Sequence, residues 1–148
     1  MATLQRAIQI AVEAHMNVMD KSGKLYILHP MRIMLKAETE DEKIVAILHD
    51  VVEDCEEWTL DRMRDEGFSE LVIDSLDRMT RRPGESYDDF IDRCRGARIS
   101  TKNKLKDIED NMDMTRLPSM SGADLSRIKK YHKAWCILKE AEAQWECK

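Results

Sequence analysis

The stretch Ala46-Ile47-Leu48-His49-Asp50-Val51-Val52-Glu53-Asp54 sets four ionisable side chains into an otherwise apolar run. Unpaired charges are costly in apolar surroundings, so such a concentration calls for a cation or a partner. On a helix, residues four apart share a face, which stands His49 over Glu53 and Asp50 over Asp54. The imidazole and carboxylate of His49 and Asp50 suit a divalent first-row metal, and Glu53 and Asp54 are placed to handle an activated water and its proton. The competing reading is structural: a polar rim on a buried helix, with His49 satisfied by a backbone carbonyl.

Lys104, Asp107 and Asn111 lie three and four apart on a second polar helix, so Asp107 is a further ligand candidate with an amide one turn on. His29 precedes Pro30, and with Pro30 at the first helical position it is expected at the helix cap, free to reach a neighbouring element. His15 has no acidic or His partner at helical spacing and is expected to pack or cap rather than to ligate. Arg81 and Arg82 stand in a loop, where they can meet phosphate or simply be solvated.

The elements that must position these groups are helical. Thr3 is expected to cap an amphipathic helix to about Val18, built on Leu4, Ala7, Ile8, Ala11 and Val12. A turn over Asp20-Lys21-Ser22-Gly23-Lys24 leads to His29-Pro30 and a second helix through Leu35. Thr39 with Glu42 forms a capping box for the central helix that carries His49 and Asp50. Thr59, Ser69 and Ser86 cap three more helices, the first ended by Gly67. A long polar helix is expected over Ala97 to Thr115, and a packing helix over Ala123 to about Trp145, with His132 on the surface.

The sum is an all-α bundle of about seven to eight helices in one domain. Of the 148 residues 43% are hydrophobic and 36% charged, with five Gly and three Pro, a balance that favours a helix-rich globule. The formal net charge of -5 argues against nucleic-acid binding, which needs clustered Lys and Arg. No apolar run reaches the roughly eighteen residues of a membrane span, and the amino terminus lacks a secretory pattern. Cys55, Cys94, Cys136 and Cys147 have no metal-binding spacing, so reduced thiols and a cytoplasmic location are expected.

The order of motifs resembles the HD-superfamily hydrolases of the RelA/SpoT type, and within them the small stand-alone alarmone hydrolases. The residues that carry the resemblance are Lys21-Ser22-Gly23-x-x-Tyr26-Ile27 with His29-Pro30, Leu48-His49-Asp50-x-x-Glu53-Asp54, and Lys104-Leu105-x-Asp107-x-x-x-Asn111. Leu76 to Tyr87, Asp110 to Asp113 and Lys130-Tyr131-x-x-Ala134 also match. The resemblance implies an HD-domain helical bundle with a metal, usually Mn²⁺, on His29, His49, Asp50 and Asp107. It further implies acid/base roles for Glu53 and Asp54, nucleotide contacts from Lys21, Ser22 and Asn111, and charge compensation by Lys21 and Lys104. The implied reaction removes the 3′-pyrophosphate from guanosine tetra- or pentaphosphate (ppGpp or pppGpp, the alarmones of the stringent response), giving GDP or GTP. The chain departs from the family at Asp20, where an Arg is usual, at Lys24-Leu25 in the turn, and at Ala97. Those departures keep two alternatives open: another nucleotide, such as an adenosine alarmone or the 2′-phosphate of NADPH, and a non-catalytic nucleotide-binding or immunity module.

Overall fold

Thr39 opens the helix on which the other elements pack. Its hydroxyl accepts the Glu42 backbone N–H at 3.2 Å, and the Glu42 carboxylate accepts the N–H groups of Glu38 and Thr39 at 2.9 and 3.3 Å. This reciprocal capping satisfies donors that the first helical turn cannot use. The helix then buries an unbroken run from Ile44 to Val51, His49 and Asp50 included.

The computed structural model describes residues 1–147. Among them the order is α1 (Leu4–Ala14), α2 (Leu28–Lys36), α3 (Glu40–Asp54), α4 (Leu60–Asp65), α5 (Glu70–Met79), α6 (Tyr87–Cys94), α7 (Arg98–Asn111), a 3₁₀ turn (Met114–Arg116) and α8 (Gly122–Glu146). The architecture is all-α, as expected from the HD-like reading; the one β feature among the described residues is an isolated antiparallel bridge between Met19 and Leu25. No helix is long and apolar enough to cross a membrane.

Two apolar clusters organise the bundle. Ala7, Ile10, Ile33, Ile47, Leu48, Met63, Ile73 and Leu76 join α1 to α5 around α3. Phe90, Ile91, Leu105, Ile108, Ala134 and Leu138 join α6, α7 and α8. Helix α7 touches both halves, but it meets α2 and α3 through polar groups. The Asn103 amide donates to the Glu42 carbonyl at 3.0 Å and the Lys102 ammonium to Glu38 at 2.8 Å. The ligand candidates lie along this seam.

Three boundaries differ from expectation. Helix α1 ends at Ala14, with His15 as its C-cap, because Asn17 turns to a left-handed φ of 64° and Val18 accepts the Tyr26 N–H at 2.8 Å. Helix α2 begins one residue before His29, since Leu28 and His29 already donate to the carbonyls of Leu25 and Tyr26. His29 therefore sits inside the first turn rather than at the cap. Helix α7 runs from Arg98 to Asn111, and Asp113 then caps the 3₁₀ turn. The caps expected at Thr3, Thr59, Ser69 and Ser86 each accept a backbone N–H from three residues on.

Candidate metal centre

Helices α2, α3 and α7 each present ligand candidates to one point. His49 is only 1% exposed, and its Nδ1–H donates to the Ala46 carbonyl at 2.7 Å, one turn back on α3. That bond is the carbonyl contact of the structural reading; it commits the Nδ1 proton and leaves Nε2 to bind a proton or a cation, and Asp50 and Asp107 beside it raise its proton affinity against the effect of burial. Nε2 is buried without a hydrogen-bond partner, 3.2 Å from Asp50 Oδ1 and 3.7 Å from Asp107 Oδ1. A lone pair facing two carboxylates is unfavourable unless a proton or a metal cation lies between them.

His29 faces the same point from α2. Its Nε2 lies 2.9 Å from Asp107 Oδ1 and 3.6 Å from Asp50 Oδ2, while Nδ1 lies 2.6 Å from Asp110 Oδ2. One donor atom from each of His29, His49 and Asp50 lies within 4.8 Å of the others, a set compatible with a divalent metal. Asp107 reaches both histidines, and its other oxygen takes the Lys104 ammonium at 2.6 Å. The Asn111 amide donates to Asp107 Oδ1 at 3.2 Å.

These contacts displace proton affinities in consistent directions. Burial acts to lower His29, but hydrogen bonds to Asp107 and Asp110 outweigh it and lift the imidazolium to about 10. Burial would likewise raise Asp107, yet Lys104 and the two histidines hold it well below the carboxylate range. The same carboxylates that would attract a cation therefore also raise the proton affinity of both His29 and His49.

Sequence reasoning missed the groups that orient the ligands. Tyr26 donates its hydroxyl to Asp50 Oδ2 at 2.7 Å, and Asp110 holds His29 while accepting two bonds from the Arg32 guanidinium at 2.8 and 2.9 Å. A carboxylate behind a ligating histidine fixes its ring and raises its basicity. Asp110 had one legible signal, its position three residues after Asp107 on the same helix face. Tyr26 had none beyond its motif.

A cavity of about 460 Å³ opens over this point. Lys21, Ser22, Glu53, Lys104, Asp107 and Asn111 all line it, with His29 and Asp50. Asp54 does not, although it is electrostatically coupled to Asp50, His49 and His29 as well as to His15; burial and the charge of Asp50 raise its proton affinity. Glu53 is exposed at its tip, and loss of water on its inner side together with the charge of Asp50 raises its proton affinity. The Ser22 hydroxyl is spent on Asp20 at 2.9 Å, and the same Asp20 oxygen takes the N–H groups of Ser22 and Lys24. Asp20 thus pins the turn, with Gly23 at a φ of 78°, instead of projecting into the cavity as a free acid.

No family model matches the chain. Part of it is similar to a putative chloroplastic GTP diphosphokinase of Arabidopsis thaliana, 37% identical over 67 residues, which is 43% of this chain and 8% of that protein. Part is similar to the guanosine-3′,5′-bis(diphosphate) 3′-pyrophosphohydrolase of Aquifex aeolicus, 35% identical over 82 residues, 53% of this chain and 12% of that protein. The match thus spans about a tenth of the length of either relative. A helical bundle with a His/Asp cluster between its helices is thus similar, over about half of its length, to part of two RelA/SpoT-type proteins.

Proposed function

We propose that the chain is a metal-dependent nucleotide phosphohydrolase that removes the 3′-pyrophosphate of guanosine tetra- or pentaphosphate. The observation that carries the reading is His49 Nε2, a buried nitrogen without a hydrogen-bond partner that stands 3.2 Å from Asp50 and 3.7 Å from Asp107, in one cluster with His29. A divalent ion, Mn²⁺ by the family resemblance, held by His29, His49, Asp50 and Asp107 would act as a Lewis acid that acidifies water and draws charge from the phosphoryl oxygens.

The chain's own groups do the rest. Glu53, on the cavity wall with raised proton affinity, takes the proton of the attacking water as its oxygen bonds to the 3′-phosphorus. The ribose 3′-oxygen departs and is protonated, so pyrophosphate and GDP or GTP are the products. Asp54, one residue on, holds negative charge at the end of α3 and favours proton transfer onto its neighbour. Lys104 and Lys21 offset the phosphate charge and Asn111 contacts the nucleotide, while Ser22, its hydroxyl proton committed to Asp20, can meet the nucleotide only as an acceptor. Because Asp20 closes its own turn and the three guanidiniums that line the cavity, Arg32, Arg116 and Arg127, are bound to Asp110, Asp113 or Asp124, the cavity wall offers no free guanidinium to a guanine base. That observation favours, as a second reading, the same chemistry on another nucleotide such as NADPH or an adenosine alarmone.

The test is hydrolysis of guanosine tetraphosphate, its adenosine analogue, NADPH and GTP with Mn²⁺, with EDTA, and with Asp50→Ala. Metal-dependent release of pyrophosphate from the guanosine compound, absent in the variant, is the expected result. Orthophosphate from NADPH alone would move the assignment to the second reading. No turnover despite tight metal binding would leave a nucleotide-binding module.

A further inference from the structure

The cavity continues past the metal centre along the start of α8. Arg127 and Tyr131 line it beside Lys104, and Lys130 lies on the same stretch of helix. The Lys130 ammonium sits over two aromatic rings, 4.6 Å from the centroid of Tyr87 and 5.1 Å from that of Tyr131. The Arg81 guanidinium lies 5.9 Å from the Tyr87 centroid and is fixed by two bonds to the Glu85 carbonyl, at 3.1 and 3.2 Å. Two cations therefore share one tyrosine.

Neither cation is neutralised. Arg93 takes both oxygens of the Glu85 carboxylate, at 2.6 and 2.9 Å, so the acid nearest Arg81 is turned away from it. Burial and the charges of Arg81, Lys104 and Arg127 all lower the proton affinity of Lys130, and no carboxylate contributes in the other direction. Several other cations end on acids, as in Arg64 with Glu70, Arg78 with Asp74, and Arg95 with Asp92. In a protein of net charge -5, cations gathered on aromatic faces without a counter-charge mark a place where an anion completes the arrangement. The Tyr87 hydroxyl, buried in the same cluster without a hydrogen-bond partner, adds a donor that nothing in the chain uses.

We propose that Arg81 and Lys130, both held against Tyr87 and the latter also against Tyr131, which lines the cavity, form an anion subsite for the phosphate-bearing arm of the substrate that is not being cleaved. The identity of that arm rests on the hydrolase reading; the subsite itself does not. A guanidinium and an ammonium gathered on one tyrosine suit a diphosphate, which offers oxygens both to the fork and to the point charge. The subsite thereby selects nucleotides with two phosphorylated positions over those with one.

The probe is inorganic pyrophosphate, titrated calorimetrically into the full chain in EDTA, where the metal-centre carboxylates repel it. Wild type is expected to bind, with affinity falling as salt rises. Arg81→Gln/Lys130→Gln is expected to weaken binding about tenfold or more, and Lys130→Gln alone, an exposed change that leaves the fold intact, by a smaller factor. Lys36→Gln/Lys43→Gln, which removes the same charge elsewhere, is expected to bind as wild type does, and Mn²⁺ affinity reports that each variant is folded. Equal affinity in the Arg81/Lys130 variant and wild type, or pyrophosphate binding that requires Mn²⁺, would overturn the subsite. If no nucleotide is turned over, the hydrolase reading fails while this binding comparison still decides the subsite.

Discussion

Tyr26→Phe removes one oxygen and nothing else. The hydroxyl donates to Asp50 Oδ2 at 2.7 Å, and Asp50 is only 7% exposed, so water cannot fully replace it. The ring stays packed 5.0 Å from His15 and 5.8 Å from His29, so no cavity opens. A hydrogen bond to a charged group is worth about 1.5–3 kcal/mol, which for a chain of this size lowers the melting temperature of the metal-free protein by roughly 3–12 °C. The second effect falls on the ligand itself. An Asp50 carboxylate that has lost its anchor must be oriented by the metal alone, and losing such a support lowers metal affinity by about 10–100-fold. Thermal denaturation with and without Mn²⁺, beside calorimetric titration of the metal, reads both quantities on one preparation. Tyr26→Phe that melts with wild type and binds Mn²⁺ with wild-type affinity would refute the view that Tyr26 holds a ligand.

Asp110→Asn leaves His29 Nδ1 and Arg32 without their carboxylate and is expected to lower Mn²⁺ affinity by about tenfold or more, read by the same titration. Glu53→Gln is expected to keep metal binding and to lose turnover by about 10²–10⁴-fold, the usual scale for removing a general base; turnover near wild type would remove Glu53 from that role. In EDTA, stability is expected to fall as pH rises. His29 is lifted from 6.5 to about 10 in the fold, so its contribution is complete below about 6.5 and fades as pH climbs through about 10. Metal affinity runs the other way and grows over the same interval, because the ligands must give up their protons. A flat melting profile between those limits would contradict the buried His29 contacts. Thr39→Ala is expected to cost about 1 kcal/mol, or roughly 2–4 °C, through loss of the α3 capping box.

The helices and the buried polar pair His49 and Asp50 were readable because their causes are local. Thr39-x-x-Glu42 states a helix start in four letters, and the adjacency of His49 and Asp50 on an apolar helix states a polar point in the core. Boundaries were missed where a non-helical partner competes. The apolar spacing of α1 runs on to Val18, but Val18 is taken by Tyr26, and Pro30 invites a start that Leu25 and Tyr26 had already made. The orienting groups were missed because their meaning lies in pairs far apart in the chain. Tyr26 meets Asp50 across 24 residues and His29 meets Asp110 across 81. Nothing near Asp54 in the sequence told that, unlike Glu53, it does not line the cavity.

The polar seam on α7 gives the fold a preferred line of opening. The apolar side of α7 belongs with α6 and α8, whereas its ties to α2 and α3 include Asn103 to Glu42 and Asp107 and Asp110 to His29. Such ties yield to water more readily than a packed hydrophobic face does. In the metal-free chain, amide hydrogens of α6–α8 are therefore expected to exchange together and ahead of those in α3, through hinged parting of two modules that each keep their own core. A cation gripped from both sides of the seam acts as a latch. Metal loading should slow exchange throughout the later module, including α8, which supplies no ligand of its own, and so convert a local coordination event into cooperative unfolding of the whole bundle.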